Sequence, residues 1–359
     1  MTQYIAHMAS LSLIALLTAC GSEKSTVSDH QDGNRFFNTP PVNVGFWSVL
    51  KWNFTRKKHP WPDSVPVDTV VPPLSVASGM RATWVGHATV LVQTPGNNLL
   101  VDPVWSKRIG PWSWAGPKRY SRPAVEFQDL PRIDAVLVSH DHYDHCDMPT
   151  LERLAKERSR LGIAPLGTAD LLRKAGFERV VALDWWESTQ LPSGDTVTLV
   201  PAYHHGLRWP WDRNTRLWGG FVVKTAAGVV YYPGDTGDGP HFDQIGARIG
   251  PIDLCLMPIG AYLPRWFMHS QHIGPSEAIS AAKRVGAKVS MAVHWGAFRL
   301  ADDGFREAPD SLKALLARDP AAPDFRVVDM GQSVELSNVP DLEAERFPSA
   351  LAKELATSP

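Results

Sequence analysis

The decapeptide Val138-Ser139-His140-Asp141-His142-Tyr143-Asp144-His145-Cys146-Asp147 places three imidazoles and a carboxylate at positions 140, 142, 144 and 145. It follows Ile133-Asp134-Ala135-Val136-Leu137-Val138, an apolar, β-branched run of the kind that forms a buried strand. No regular element turns all four side chains one way. In a strand, positions 140, 142 and 144 share a face and 145 opposes them; in a helix, 140 and 144 align and 142 turns away. A loop is therefore required. Such a loop presents His140 and His142 to one ion and Asp144 and His145 to a second. Neutral imidazoles with a carboxylate are borderline ligands that suit zinc and leave positions open for water.

Further candidates recur where other apolar runs end. Thr196 to Val200 leads into Pro201-Ala202-Tyr203-His204-His205-Gly206, and either histidine can complete the first ion's shell. Val229 to Tyr232 leads into Pro233-Gly234-Asp235-Thr236-Gly237, where Asp235 can bridge two cations. Val289 to Val293 leads into His294-Trp295-Gly296. Asp102, closing Leu99 to Val101, either orients a ligand or starts a turn, and His87 reads as a hydrogen-bonded histidine near the site rather than a ligand.

The elements needed to carry these residues are mostly strands. Arg81 to Val85 and Thr89 to Thr94 flank Gly86-His87-Ala88, with a turn at Pro95-Gly96-Asn97-Asn98. Phe221 to Thr225 and Val229 to Tyr232 read as a hairpin, and Leu254 to Ile259 as a buried strand with Cys255 in the core. Asp147 with Pro149 starts a helix over Leu151 to Arg158; Gly274-Pro275-Ser276-Glu277 starts another that runs to Val285 and ends at Gly286. Phe325 to Val328 and Ser333 to Leu336 read as a closing strand pair.

With 36 Lys and Arg against 37 Asp and Glu, the net charge of -1 offers no electrostatic footprint for nucleic acid. Three cysteines, Cys20, Cys146 and Cys255, make no disulfide framework. Met8 to Leu17 is too short to span a bilayer and suits the apolar part of a secretory signal, although Met1 to Ser10 carries no Lys or Arg. It runs into Leu17-Thr18-Ala19-Cys20-Gly21-Ser22, which resembles a bacterial lipoprotein signal with Cys20 as the lipidated residue. Residues 1–20 are thus expected to be a signal peptide. Gly21 after the cysteine resembles the pattern of an outer-membrane lipoprotein facing the periplasm. Residues 21–73 are read as a flexible tether, Ser22 to Asn34, and an irregular Pro/Trp-rich wrapping segment in which no helix or strand period persists. Residues 74–340 form the expected catalytic domain and 341–359 a C-terminal tail.

Together these motifs resemble the metallo-β-lactamase superfamily, and more narrowly its N-acylphosphatidylethanolamine-hydrolysing phospholipase D branch. The resemblance is carried by Thr83-Trp84-Val85-Gly86-His87-Ala88-Thr89, Gly116-Pro117-Lys118-Arg119, the 139–145 run and Leu183-Asp184-Trp185-Trp186-Glu187. It continues through Gly234-Asp235-Thr236-Gly237, Ile259-Gly260-Ala261-Tyr262, Pro264-Arg265-Trp266-Phe267-Met268, Gln271-His272 and His294-Trp295-Gly296. It implies an αββα sandwich of two mixed β-sheets flanked by helices, holding two Zn2+ ions at one edge. By position, His140, His142 and His204 would hold the first zinc, Asp144, His145 and His294 the second, and Asp235 would bridge them, with His272 beside the metals. The implied activity is phosphodiester hydrolysis of a membrane phospholipid by an activated hydroxide, with Asp144, Asp235 and His272 central to it. Hydrolysis of another ester, a lactone or a β-lactam, and a non-catalytic metal-stapled envelope lipoprotein, are the competing readings. Trp209, Trp211, Trp218 and Trp266 either line an acyl-chain channel or pack in the core.

Overall fold

The structure is a computed structural model that describes residues 28–40 and 45–337. The expected signal peptide, Cys20 and the tail from 341 to 359 lie outside the described residues. A small hairpin, β1 (Gln31–Asp32) and β2 (Arg35–Phe36), and helix α1 (Phe46–Thr55) precede the body. The first half of the body supplies β3 (Met80–Gly86), β4 (Thr89–Thr94), β5 (Asn97–Val101), β6 (Ala135–Leu137), α2 (Met148–Glu157), β7 (Leu161–Pro165), α3 (Ala169–Ala175) and β8 (Arg179–Leu183). The second half supplies β9 (Ser188–Gln190), β10 (Thr196–Val200), β11 (Gly220–Thr225), β12 (Gly228–Tyr232), α4 (His241–Ile249) and β13 (Ile252–Pro258). It continues with α5 (Arg265–Met268), α6 (Pro275–Arg284), β14 (Ala287–Val293), α7 (Glu307–Leu316), β15 (Asp324–Arg326) and β16 (Ser333–Leu336).

Two seven-stranded sheets result, ordered β16-β3-β4-β5-β6-β7-β8 and β15-β14-β13-β12-β11-β10-β9. Each is mixed: β3-β4-β5 and β9 through β12 are antiparallel meanders, whereas β5 through β8 and β12 through β15 pair in parallel, joined by α-helical crossovers except for the long irregular connection from β5 to β6. The sheets bury their facing sides against each other. Trp84, Val90, Val92, Leu99 and Leu137 of one sheet join Phe221, Val223, Val230, Leu254 and Leu256 of the other in the main core. Leu151, Leu154, Leu171 and Leu172 of α2 and α3 cover the outer face of the first sheet beside Leu91, Leu100 and Val136. This is the αββα layering that the resemblance implies.

Three local expectations change. The closing pair does not pair with itself: β15 extends the second sheet beside β14, while β16 crosses to the first and pairs with β3, Val334 opposite Ala82. Among the described residues of 36–73 there is one helix, α1, whose Val49 and Trp52 pack on Phe267 and Met268; tertiary contact rather than periodicity orders it. From Ser28 onward the expected tether is fixed. His30 is buried, stacks on Trp185 with ring centroids 3.9 Å apart and pairs with Asp184 at 3.0 Å. Asn38 then donates from Nδ2 to the carbonyl of His204 at 2.8 Å, so this strap reaches the candidate site. Among the described residues no helix is long and apolar enough to cross a membrane.

Candidate metal centre

The candidate residues meet at one edge of the sandwich because the strands carrying them end there. After β6, a turn closed by His145 N–H and Cys146 N–H on the His142 carbonyl splays the four side chains of the 140–145 run. His204 follows β10, Asp235 follows β12 and His294 follows β14. Three strand ends at this edge reverse through left-handed backbone on residues other than glycine: His87 (φ 54°) after β3, Asp102 (φ 40°) after β5 and His294 (φ 62°) after β14. Gly234 (φ 67°) lets the chain turn against Ser139, where a Cβ would stand 3.0 Å from the Ser139 Cβ.

Two adjoining clusters form, each with its donor atoms within 4.8 Å of one another: His140, His142, His204 and Asp235, and His87, Asp144, His145 and His294. In the first, His142 Nδ1 lies 2.9 Å from His140 Nε2 and 3.2 Å from His204 Nε2. In the second, His145 Nε2 lies 3.2 Å from His294 Nε2 and 3.4 Å from Asp144 Oδ2. Asp235 reaches both: Oδ2 is 3.2 Å from His145 Nε2 and 3.9 Å from His204 Nε2, and Oδ1 is 3.1 Å from His294 Nε2. His272 stands beside it, Nδ1 3.7 Å from Asp235 Oδ2. His205 stays outside both clusters, its ring edge-on to His142.

The far sides of the rings fix their tautomers. His145 Nδ1–H donates to Asp102 Oδ2 at 2.6 Å, His204 Nδ1–H to the Gln271 carbonyl at 3.0 Å, and His140 Nδ1–H to Ser139 Oγ at 2.9 Å. Ser139 Oγ donates in turn to Asp102 Oδ2 at 2.6 Å, so one carboxylate backs a ring in each cluster. With those protons held outward, each Nε2 lone pair points inward, the arrangement in which imidazole binds a cation.

Electrostatics divide the rings, with His87 of the second cluster falling alongside the first set, pushed down to about 3 by burial and the neighbouring His294. Burial and neighbouring imidazoles keep the first set neutral: His142 is pushed down to about 4, His204 to about 3 and His140 well below its usual range. Burial opposes charge on His145 and His294 too, yet the Asp235 and Asp144 carboxylates hold His294 up at about 9 and His145 well above its ordinary value. Burial also opposes charge on Asp144 and Asp235, but their histidine neighbours keep both well below the usual carboxylate range. This pocket demands positive charge, which a divalent cation supplies as well as protons do. Asp235 Oδ1 is buried and accepts no hydrogen bond of proper geometry, a further mark of a donor set built for metal.

Residues 97–295 match the family described as the Beta-lactamase superfamily domain. The chain belongs to the metallo-β-lactamase superfamily. It is 41% identical over 274 residues to N-acyl-phosphatidylethanolamine-hydrolyzing phospholipase D 1 of Caenorhabditis elegans, covering 73% of this chain and 77% of that protein. It is 32% identical over 239 residues to the mitochondrial N-acyl-phosphatidylethanolamine-hydrolyzing phospholipase D of Saccharomyces cerevisiae, covering 65% of this chain and 51% of that protein. In fold it is similar to Igni18, a metallo hydrolase from Ignicoccus hospitalis, with a TM-score of 0.54 and 22% identity over 72% of this chain and 98% of that one. The chain is a metal-dependent hydrolase of this superfamily, with a His/Asp cluster suited to metal.

His87 is the hydrogen-bonded histidine beside the site that the sequence suggested, and it comes closer than expected: its Nε2 lies 2.9 Å from Asp144 Oδ2 and its ring centroid 4.2 Å from that of His294, within reach of the second cluster. Its carbonyl also accepts the His294 N–H, so the end of β3 positions the end of β14. The available signal was its place at a strand end, shared with every other member. Of the aromatics considered for a channel, Trp218 is core, whereas Trp209, Trp211 and Trp266 are exposed.

Proposed function

We propose that the chain is a dinuclear zinc phosphodiesterase of phospholipase D type, acting on N-acylphosphatidylethanolamine-like phospholipids. The observation that carries this reading is the pair of adjoining clusters with Asp235 reaching into both. The two phospholipase D relatives support the choice of substrate class. His140, His142 and His204 would hold one Zn2+, Asp144, His145 and His294 the other, and Asp235 would lie between them. All are nitrogen or carboxylate donors of the type zinc takes. With those residues holding it, such a pair of cations would supply an activated water and positive charge facing the phosphoryl oxygens.

The chain's own residues do the rest. Asp102, Ser139 and the Gln271 carbonyl hold the imidazoles in one tautomer and orientation. His272 is part-buried and neutral, pushed down to about 3 chiefly by burial, and stands beside Asp235 where it could relay a proton from the attacking water to the leaving oxygen as charge builds there. Water adds to phosphorus, the bond from phosphorus to the head-group oxygen breaks, and the products are phosphatidic acid and an N-acylethanolamine-type alcohol.

The test is lipid mass spectrometry of the purified full chain incubated with envelope lipid extract, comparing wild type with Asp144→Asn. Loss of a phospholipid and appearance of phosphatidic acid only with wild type is the expected result. Turnover of a lactone or a β-lactam with every phosphodiester untouched would replace this reading with another hydrolase. Bound metal with no turnover on any ester would replace it with a structural role. Anchoring through Cys20 to the outer membrane, facing the periplasm, belongs to the same reading and rests on the Leu17 to Ser22 motif. Cys20→Ala is expected to move the protein from the membrane to the soluble fraction, and unchanged fractionation would remove the anchor.

A further inference from the structure

Four indoles form a ladder on the surface beside the metal loop. Trp112 stacks on Trp114 (centroids 5.4 Å apart), meets Trp209 edge-on (5.9 Å), and Trp209 stacks on Trp211 (5.4 Å). They are not core residues, being 52%, 74%, 36% and 70% exposed in the order 112, 114, 209, 211. A contiguous apolar surface of this kind marks an interaction site rather than chance exposure.

The two loops that carry the ladder are tied down by their own hydrogen bonds. Gly116 (φ 92°) lies over the Ile109 carbonyl, where a Cβ would stand 1.9 Å away, and Ile109 N–H donates to the Pro117 carbonyl. In the other loop, Asp212 Oδ1 accepts the N–H groups of Arg208 and Trp209, and Asp212 Oδ2 pairs with Arg216 at 2.7 Å. Arg208 ties this loop to the site: its Nη1 donates to the carbonyls of Asp141 and Cys146, on either side of His142 and His145.

Charge decides the partner. Between Asp102 and Glu126 the chain carries Lys107, Arg108, Lys118, Arg119 and Arg122 and no acidic residue. Lys107, Arg108 and Arg208 line, together with Trp112, Trp209 and Tyr143, a cavity of about 510 Å3, on whose wall Glu152 and the buried Asp147 also lie. Indoles at the level of the head groups with basic side chains beside them are the composition of a protein surface that enters an anionic lipid interface. We propose that Trp112, Trp114, Trp209 and Trp211, with Lys107 and Arg108 beside them, insert into the interface of an anionic phospholipid bilayer and so set the metal loop against it. This surface shares its lipid chemistry with the phosphodiesterase reading and does not depend on it, because its test involves no turnover.

The test uses the full chain carrying Cys20→Ser, so that no acyl chain is attached, and vesicles of phosphatidylcholine and phosphatidylglycerol with brominated acyl chains. Bromine quenches only indoles that enter the bilayer, whatever else holds the protein there. Vesicles are expected to quench and blue-shift the emission of the otherwise unaltered chain, more strongly with phosphatidylglycerol than without. The variant W112S/W114S/W209S/W211S is expected to lose most of that quenching and to partition at least about tenfold more weakly, while its melting temperature stays the same. Lys107→Glu with Arg108→Glu is expected to weaken binding at low salt and much less at high salt. Equal quenching in the four-tryptophan variant, or none in the parent, overturns the proposal. So does a concentration-dependent dimer of the parent that the variant abolishes without any quenching by lipid. Salt-independent binding by the charge variant equal to that of the parent overturns the part given to the basic residues.

Discussion

Replacing Asp102 with asparagine isolates the contribution of the groups behind the metal ligands. Asp102 Oδ1 accepts the Ser139 N–H at 2.7 Å; Oδ2 accepts Ser139 Oγ–H at 2.6 Å, His145 Nδ1–H at 2.6 Å and Tyr232 O–H at 2.5 Å. An asparagine that keeps its oxygen toward Ser139 N presents an amide N–H2 where Oδ2 stood. The two hydroxyls can rotate and accept. His145 can accept at Nδ1 only by moving its proton to Nε2, the nitrogen that faces Asp144, Asp235 and His294. A hydrogen bond to a charged group is worth about 1.5–3 kcal/mol, which corresponds to roughly 10–100-fold in a binding constant. Outer partners of metal ligands show losses of about that size. Asp102→Asn is therefore expected to bind its second metal roughly 10–100-fold more weakly, with far-ultraviolet circular dichroism unchanged. Metal content measured after dialysis against graded chelator reads the effect directly. Two metals per chain retained at wild-type chelator resistance would refute the idea that Asp102 sets the His145 tautomer.

Three other outcomes follow from the structure. His272→Gln should lower kcat by about 10²–10⁴-fold with metal content unchanged, because the ring sits beside the clusters without joining either; a matching loss of metal would assign it a ligand's role instead. Trp84→Ala, removing a fully buried indole that also donates to the His87 carbonyl at 2.8 Å, should cost about 3–5 kcal/mol in denaturant unfolding. The strap should be pH-sensitive. Burial opposes charge on His30, but Asp184 and Asp29 raise its pKa above 6.5, while burial raises Asp184 and His30 lowers it below 3.8. The histidine's contribution is complete below pH 6.5 and fades as pH rises through its raised value; the aspartate's is complete above 3.8 and fades as pH falls through its lowered one. Proteolysis at the strap should quicken above that upper limit in wild type and lose this pH dependence in Asp184→Asn.

How much of this was readable in the chain depends on the kind of evidence each feature offers. The 140–145 run, Asp235 and His294 each follow an apolar β-branched run, so strand ends and donor types together announced a shared edge. Local pattern left His204 and His205 equal and only the family resemblance chose His204; what fixes that ring in the structure is the Gln271 carbonyl, 67 residues away. His87 was placed near the site but not against Asp144, because a single histidine after a strand gives no sign of the partner it meets across the fold. β15 and β16 look like partners since local pattern specifies a strand but not its sheet. Trp218 and Trp209 differ in surroundings, not in type, so core and surface indoles could not be told apart. α1 lacked a sustained period because α5 rather than an amphipathic stripe holds it in place.

The left-handed backbone at His87, Asp102 and His294 has an energetic consequence. A residue with a Cβ in that conformation costs roughly 1–2 kcal/mol relative to glycine, so the rim of the site carries a penalty of several kcal/mol in total. Glycine would relieve that strain, but at Asp102 it would also strip the acceptor from four buried donors, so the same hydrogen bonds that hold the site together keep its rim in a conformation that glycine alone adopts freely.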